Sequence, residues 1–173
     1  MESQAITVRA ATADDAGAIA RVHVETWRAG YRGLLPEEEI RKITLEQRTA
    51  FWKSELAKPG PRKIDVAQDG AGVIGFCSYG PTRDEDAAGA AEIYAVYVHP
   101  DAWRRGAARR LCQRAALAAA ERGHDAITLW VVKGNERACR FYERIGLRPD
   151  GGARSNTRFL ATPFDEMRYR KAL

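Results

Sequence analysis

The stretch from Glu92 to Val132 limits the folds open to this chain more than any other. Glu92-Ile93-Tyr94-Ala95-Val96-Tyr97-Val98 is an apolar, β-branched and aromatic run that reads as a buried strand, and His99-Pro100 ends it. A helix is expected from about Gly106 to Arg122, with Ala108, Leu111, Cys112, Ala115 and Ala119 on one stripe and Gly123 as its stop. Ala126-Ile127-Thr128-Leu129-Trp130-Val131-Val132 is a second strand. Parallel neighbours need a crossover of a dozen or more residues, and a helix of this length supplies one. The segment is therefore a βαβ unit, and its crossover should be right-handed.

The flanking sequence fills in the rest. Ile6-Thr7-Val8-Arg9 reads as a first strand. Thr12 is a helix N-cap with Asp14 and Asp15 in the first turn, which opens a helix near 13–28. Tyr31-Arg32-Gly33-Leu34-Leu35-Pro36 interrupts it. Thr44 with Gln47 forms a capping box for a helix to about Ala57, which Lys58-Pro59-Gly60-Pro61 stops. Lys63–Ala67 and Val73–Tyr79 flank the turn residues Asp69-Gly70-Ala71-Gly72 and form a hairpin. Pro81–Ala90 is polar, acidic and rich in Ala and Gly, and is expected to be a mobile loop whose Asp84, Glu85 and Asp86 are solvated. Asn135 starts a helix in which Ala138, Phe141, Tyr142 and Ile145 share a face, and Phe164–Tyr169 is the last strand. The fold class is α/β: a single domain over residues 1–173 with a mixed sheet flanked by helices, hairpins early and crossovers late.

Composition excludes several classes. The first twenty residues lack a basic start followed by a long apolar run, and no stretch approaches the roughly 20 apolar residues of a membrane helix. A cytoplasmic protein without a membrane partner is expected. Cys77, Cys112 and Cys139 are odd in number and not spaced as metal or redox pairs, so they read as buried thiols, with neither disulfide nor metal site.

The balance of 28 Lys+Arg against 23 Asp+Glu gives +5, and Arg104, Arg105, Arg109, Arg110 and Arg114 fall within eleven residues. Within that cluster Gly106-Ala107-Ala108 sits where the helix begins. Unsatisfied N–H groups and the helix dipole suit such a terminus to a phosphate, and Gly106 lets a pyrophosphate approach the backbone. The same arginines also fit a solvated basic helix face or a nucleic-acid contact. No recognised nucleic-acid motif accompanies them, and neither the three-glycine dinucleotide spacing nor a P-loop is present.

Glu92 through Leu111 resembles the acetyl-CoA motif of the GNAT family of N-acetyltransferases. The family loop reads Gln/Arg-x-x-Gly-x-Gly/Ala; Gly106-Ala107-Ala108 matches its end, and Trp103 stands at its first position. Asn135–Leu147 is similar to the downstream motif Asn-x-x-Ala-x-x-x-Tyr-x-x-x-Gly-Phe, with Leu147 in place of the aromatic residue. Thr7–Leu35, with Trp27-Arg28 and Tyr31-Arg32-Gly33, is similar to the family's N-terminal segment.

The resemblance implies a sheet that splays beside its central strand, with acetyl-CoA in the gap as cosubstrate and no metal. It assigns the pantetheine arm to the backbone of Val96, Tyr97 and Val98. The pyrophosphate falls to Arg104, Arg105, Gly106, Ala107, Ala108 and Arg109, and a further cofactor contact to Asn135. Tyr142 matches the tyrosine that protonates the thiolate. Glu92 is the expected base, directly or through a water, with His99 as its rival. Trp27, Tyr31, Tyr79 and Trp130 are expected to line the pocket for an amine, small molecule or peptide. The resemblance also implies a homodimer. A non-catalytic acyl-CoA-binding domain of the same fold is the alternative.

Overall fold

The computed structural model describes residues 5–158 and 160–173. Its strands are β1 (Thr7–Ala10), β2 (Lys63–Asp69), β3 (Gly72–Pro81), β4 (Ala91–Val98), β5 (Ala126–Val132), β6 (Arg148–Asn156) and β7 (Phe164–Ala172). Its helices are α1 (Ala16–Gly30), α2 (Glu37–Arg41), α3 (Leu45–Ala57), α4 (Ala107–Glu121) and α5 (Glu136–Arg144). The strands make one sheet in the order β1-β2-β3-β4-β5-β7-β6. Only β4 and β5 pair in parallel; the other pairings are antiparallel.

Local chemistry explains the element ends. Thr44 Oγ1 accepts from the Gln47 N–H at 3.2 Å, and Gln47 Oε1 accepts from the Thr44 N–H at 3.4 Å, so the expected capping box opens α3. At Thr12 a short 3-10 turn over Ala13–Asp15 precedes α1, and the Thr12 N–H donates to the Asp15 carboxylate. Two elements differ from expectation. The segment after Pro36 forms the separate short helix α2, and Arg148–Asn156 is strand β6, although Pro149, Gly151 and Gly152 read as turn residues. A register shift between Pro149 and Ala153 absorbs them.

The two faces of the sheet are covered differently. On one face α4 buries Leu111, Ala115 and Ala119 against Ile93, Val98, Ile127, Leu129 and Tyr169. On the other, α1 and α3 bury Ile19, Val22 and Trp52 against Val66 and Phe76. A third cluster, with Val24, Trp27, Leu35 and Ile40 against Val132 and Leu160, joins the end of α1 to the upper part of β5.

The sheet opens between its two central strands. β4 and β5 pair only over Ala91–Ile93 against Ile127–Leu129. Beyond that point β4 continues with β3 as far as Val98, and β5 continues with β7 as far as Val132. A bulge accompanies the opening: Ser78 faces Ala95 but Tyr79 faces Ile93, which leaves Tyr94 as the extra residue. Bulges bend and twist a strand, and this one turns the upper half of β4 away from β5.

Candidate active site

The gap above Ile93 is lined on one side by backbone without a strand partner. The His99 N–H donates to the Ile74 carbonyl at 2.8 Å. Antiparallel ladders alternate, so Tyr97 directs its N–H and C=O toward β3, while Val96 and Val98 direct theirs into the gap. The Val98 carbonyl is already engaged there. It accepts from Trp103 Nε1 at 2.7 Å and from Thr26 Oγ1 at 3.0 Å. Both N–H groups and the Val96 carbonyl stay available to an extended molecule lying along β4, as an added strand would. Of the three residues expected to offer backbone, two face the gap and Tyr97 offers its side chain instead.

At the open end of the gap lies the arginine-rich turn. Gly106 caps α4 with φ 87°, and Arg104 also has a positive φ of 65°. The first helical hydrogen bond runs from the Arg110 N–H to the Gly106 carbonyl at 3.2 Å, so the amides of Ala107, Ala108 and Arg109 have no acceptor inside the helix. This is the geometry a pyrophosphate needs. The guanidiniums are divided in role. Arg105 is tied to Asp69 at 2.8 Å and Arg114 to Asp65 at 3.0 Å, so both brace the β2–β3 hairpin. Asn135, at the start of α5, accepts from the Ala138 N–H at 3.2 Å and thus serves as the N-cap.

Tyr142 projects from α5 and packs beside Phe141 and Tyr169, with ring centroids 5.2 and 6.3 Å away. Burial pushes its phenol well above the usual value, and the nearby Cys112, Tyr97, Cys77 and Cys139 act in the same direction. These neighbours belong to α4, β4, β3 and α5, so the phenol is buried where α5 meets α4 and the β3–β4 side of the sheet. It therefore stays protonated throughout the neutral range. Tyr97 and Tyr31 are raised as well, chiefly by burial, and Tyr31 hydrogen-bonds to Tyr97. Tyr31 also packs against Trp27 at a tilt, with ring centroids 4.7 Å apart. Trp27, Tyr31 and Tyr97 thus form an aromatic wall on the α1 side of the sheet.

Glu92 lies just below the opening and is 0% exposed. Arg83 holds it: Oε2 accepts from the Arg83 N–H at 3.0 Å and from Nε at 3.2 Å, and Oε1 accepts from Nη2 at 2.6 Å. Oε1 keeps a lone pair for a water. The rival histidine is occupied: His99 Nε2 pairs with Glu25, and its Nδ1 accepts from the Asp101 N–H at 3.2 Å.

The expected acceptor residues do not all converge. Tyr79 packs with the α4-side cluster and donates to Asp65 at 2.9 Å, whereas Trp27 stands on the α1 side. Side chains alternate along a strand, and Tyr79 points to the face opposite the aromatic wall. Trp130 shares the face of Val132, with its Nε1 donating to Asp84 at 2.9 Å and the Arg154 guanidinium 4.1 Å above its ring. Asp84 also accepts from Arg168 at 3.4 Å, so it is a structural carboxylate rather than a solvated one. Spacing along the chain carried no signal for Arg168, whose partner Asp84 lies 84 residues away, nor for Arg83, although Glu92 is only nine residues on.

Comparison with known proteins agrees with this geometry. The profile of the acetyltransferase (GNAT) family matches residues 21–147. An uncharacterized N-acetyltransferase of Bacillus subtilis, YuaI, is 34% identical over 131 residues, covering 75% of this chain and 73% of that protein. Among solved structures, a GCN5-related N-acetyltransferase from Kribbella flavida is 27% identical with a TM-score of 0.72, over 98% of each chain. PaiA N-acetyltransferase from Thermoplasma acidophilum, crystallised with coenzyme A, is 20% identical with a TM-score of 0.72, covering 98% of this chain and 99% of that one.

Proposed function

Because the chain belongs to the acetyltransferase (GNAT) family, we propose that it transfers an acetyl group from acetyl-CoA to a primary amine by direct attack within the splay between β4 and β5. The observation that carries this reading is the parallel pairing that stops at Ile93 and Leu129, beyond which the β4 backbone has no strand partner toward β5. Acetyl-CoA supplies the activated carbonyl; the protein must position it, accept one proton and donate another.

In this reading the Val96 and Val98 N–H groups hold the extended arm of acetyl-CoA, and the amides of residues 104–109 take its pyrophosphate. The amine lone pair attacks the thioester carbonyl, a C–N bond forms, and charge gathers on the carbonyl oxygen within reach of the backbone donors in the gap. The C–S bond then breaks and the thiolate takes the Tyr142 proton. The proton lost by the amine passes to Glu92 through a water at Oε1, because Arg83 already occupies the rest of that carboxylate. The aromatic wall of Trp27, Tyr31 and Tyr97 receives the acceptor, with Trp130 on the same face.

A panel of amines assayed by thiol release from acetyl-CoA tests the reading. Turnover with at least one amine is expected. Tyr142→Phe should lower kcat by about 10² or more and leave CoA binding intact, the scale of general acid catalysis. Glu92→Gln should lower kcat and leave CoA binding intact. Tight CoA binding with no turnover across the panel would favour a non-catalytic binding domain, and full activity of Tyr142→Phe would remove that residue from the mechanism.

A further inference from the structure

The first position of the phosphate loop carries Trp103, a side chain that cannot donate to a phosphate in the manner of glutamine or arginine. Its only donor, Nε1, is spent on the Val98 carbonyl at 2.7 Å. The indole is therefore fixed against the end of β4. On that ring lies the guanidinium of Arg137, 3.7 Å from the centroid. Arg137 belongs to the first turn of α5, on the far side of the gap. Its reach is bounded on the α1 side as well, since a Cβ built at Gly30 would come within 3.1 Å of its Nη2. Among the described residues no carboxylate pairs with it, unlike Arg105 and Arg114 in the loop and helix opposite.

We infer that Arg137 is a cofactor-binding residue that takes over, from α5, the polar role vacated at Trp103, placing its guanidinium on the CoA pyrophosphate. The inference rests on the reading of the splay as the acetyl-CoA site. A guanidinium held over an aromatic face does not use its N–H donors in that contact, so they stay free for an anion. Trp103, the platform, opens the loop that leads to the free amides of Ala107, Ala108 and Arg109. The pyrophosphate is then gripped from both halves of the splay: by the loop around Gly106 on the β4 side and by the Arg137 guanidinium on the β5 side. Trp103 acts as the platform and has no contact with phosphate of its own.

Calorimetric titration of the full chain with three probes tests this: CoA, dephospho-CoA, which lacks the 3′-phosphate, and pantetheine, which lacks both phosphate groups. For Arg137→Ala, CoA and dephospho-CoA should each weaken about tenfold or more, the loss expected for a charge-assisted contact, while pantetheine is unchanged. Arg137→Lys should recover part of the loss, and Trp103→Leu should reproduce most of it by removing the platform. Equal losses for pantetheine and CoA would mean that Arg137 only shapes the cleft, and would overturn the inference. So would a loss confined to CoA, which would place the guanidinium on the 3′-phosphate, and so would unchanged affinity for all three. Arg137 is exposed, so the melting temperature of the unliganded variant should match that of the parent. Failure of the parent protein itself to bind CoA would instead strike the acetyl-CoA reading.

Discussion

His23 is buried among the rings of Trp27, Trp52, Phe76 and Tyr97, and its Nδ1 accepts a hydrogen bond from Trp52 Nε1 at 3.1 Å. The proton therefore sits on Nε2. Burial, helped by the charge of Arg48, lowers its pKa from 6.5 to about 3. In the unfolded chain the imidazole takes up a proton near its ordinary value; in the folded chain it does not until about 3. Between those limits the unfolded state binds more protons, so stability is held above pH 6.5 and drains away as pH falls, by up to about 1.4 kcal/mol per pH unit. His23→Gln keeps an acceptor for Trp52 and cannot titrate. Urea midpoints at pH 7 and pH 4.5 should converge in that variant relative to the parent, and an undiminished gap would put the acid sensitivity elsewhere. From sequence His23 reads only as structural or exposed, because the four rings around it come from α1, α3, β3 and β4. Tyr142 stood out because a motif of fixed spacing carries it; its burial beside α4, β3 and β4 was not legible, since those neighbours come from elsewhere in the chain.

At the scale of elements, the runs with a single period were legible. β4, α4 and β5 follow directly from apolar patterning, and Thr44 and Asn135 cap the helices they were expected to cap. β6 was not, because its residues carry no alternation and it is held by pairing with β7, from Arg148 opposite Arg170 to Asn156 opposite Phe164. Its order depends on its neighbour. The start of α4 makes a sharper test. Gly106 sits at φ 87°, and a Cβ there would meet nothing within 4 Å, so Gly106→Ala is opposed by backbone conformation alone. It should cost about 1–2 kcal/mol in chemical denaturation. It should also weaken CoA binding, since relaxing that φ turns the loop amides aside. A variant with normal stability and normal CoA affinity would show that the left-handed turn is dispensable.

Across the whole molecule, polar contacts tie the late strands to the early loop. Arg168 on β7 is 6% exposed and binds Asp86 at 2.6 Å, Asp150 at 2.8 Å and Asp84 at 3.4 Å. Arg154 adds Glu166 at 2.7 Å while covering Trp130. The segment after Pro81, which composition alone suggests is mobile, is thereby pinned to β6 and β7. No local pattern could reveal this, because Arg168 and Asp84 lie 84 residues apart. Removing the cation leaves three carboxylates facing one another, so Arg168→Met should destabilise the protein by about 3 kcal/mol or more. Limited proteolysis should then cut first between residues 82 and 90. A variant that melts normally and resists cleavage there would show that the network is ornamental. The same loop delivers Arg83 to Glu92, so kcat should fall with it.

The seam between β4 and β5 is three residue pairs long, and it joins β1 to β4 on one side with β5, β7 and β6 on the other. Mechanically the sheet is a book with a short spine. An extended molecule laid in the opening, bonded to the β4 amides and gripped at its phosphate end, works as a removable eighth strand that stitches the two leaves together. On the proposed reading, the enzyme with its acyl donor in place would be a more tightly cross-linked solid than the enzyme between turnovers, and each catalytic cycle would loosen and remake the sheet along that one line.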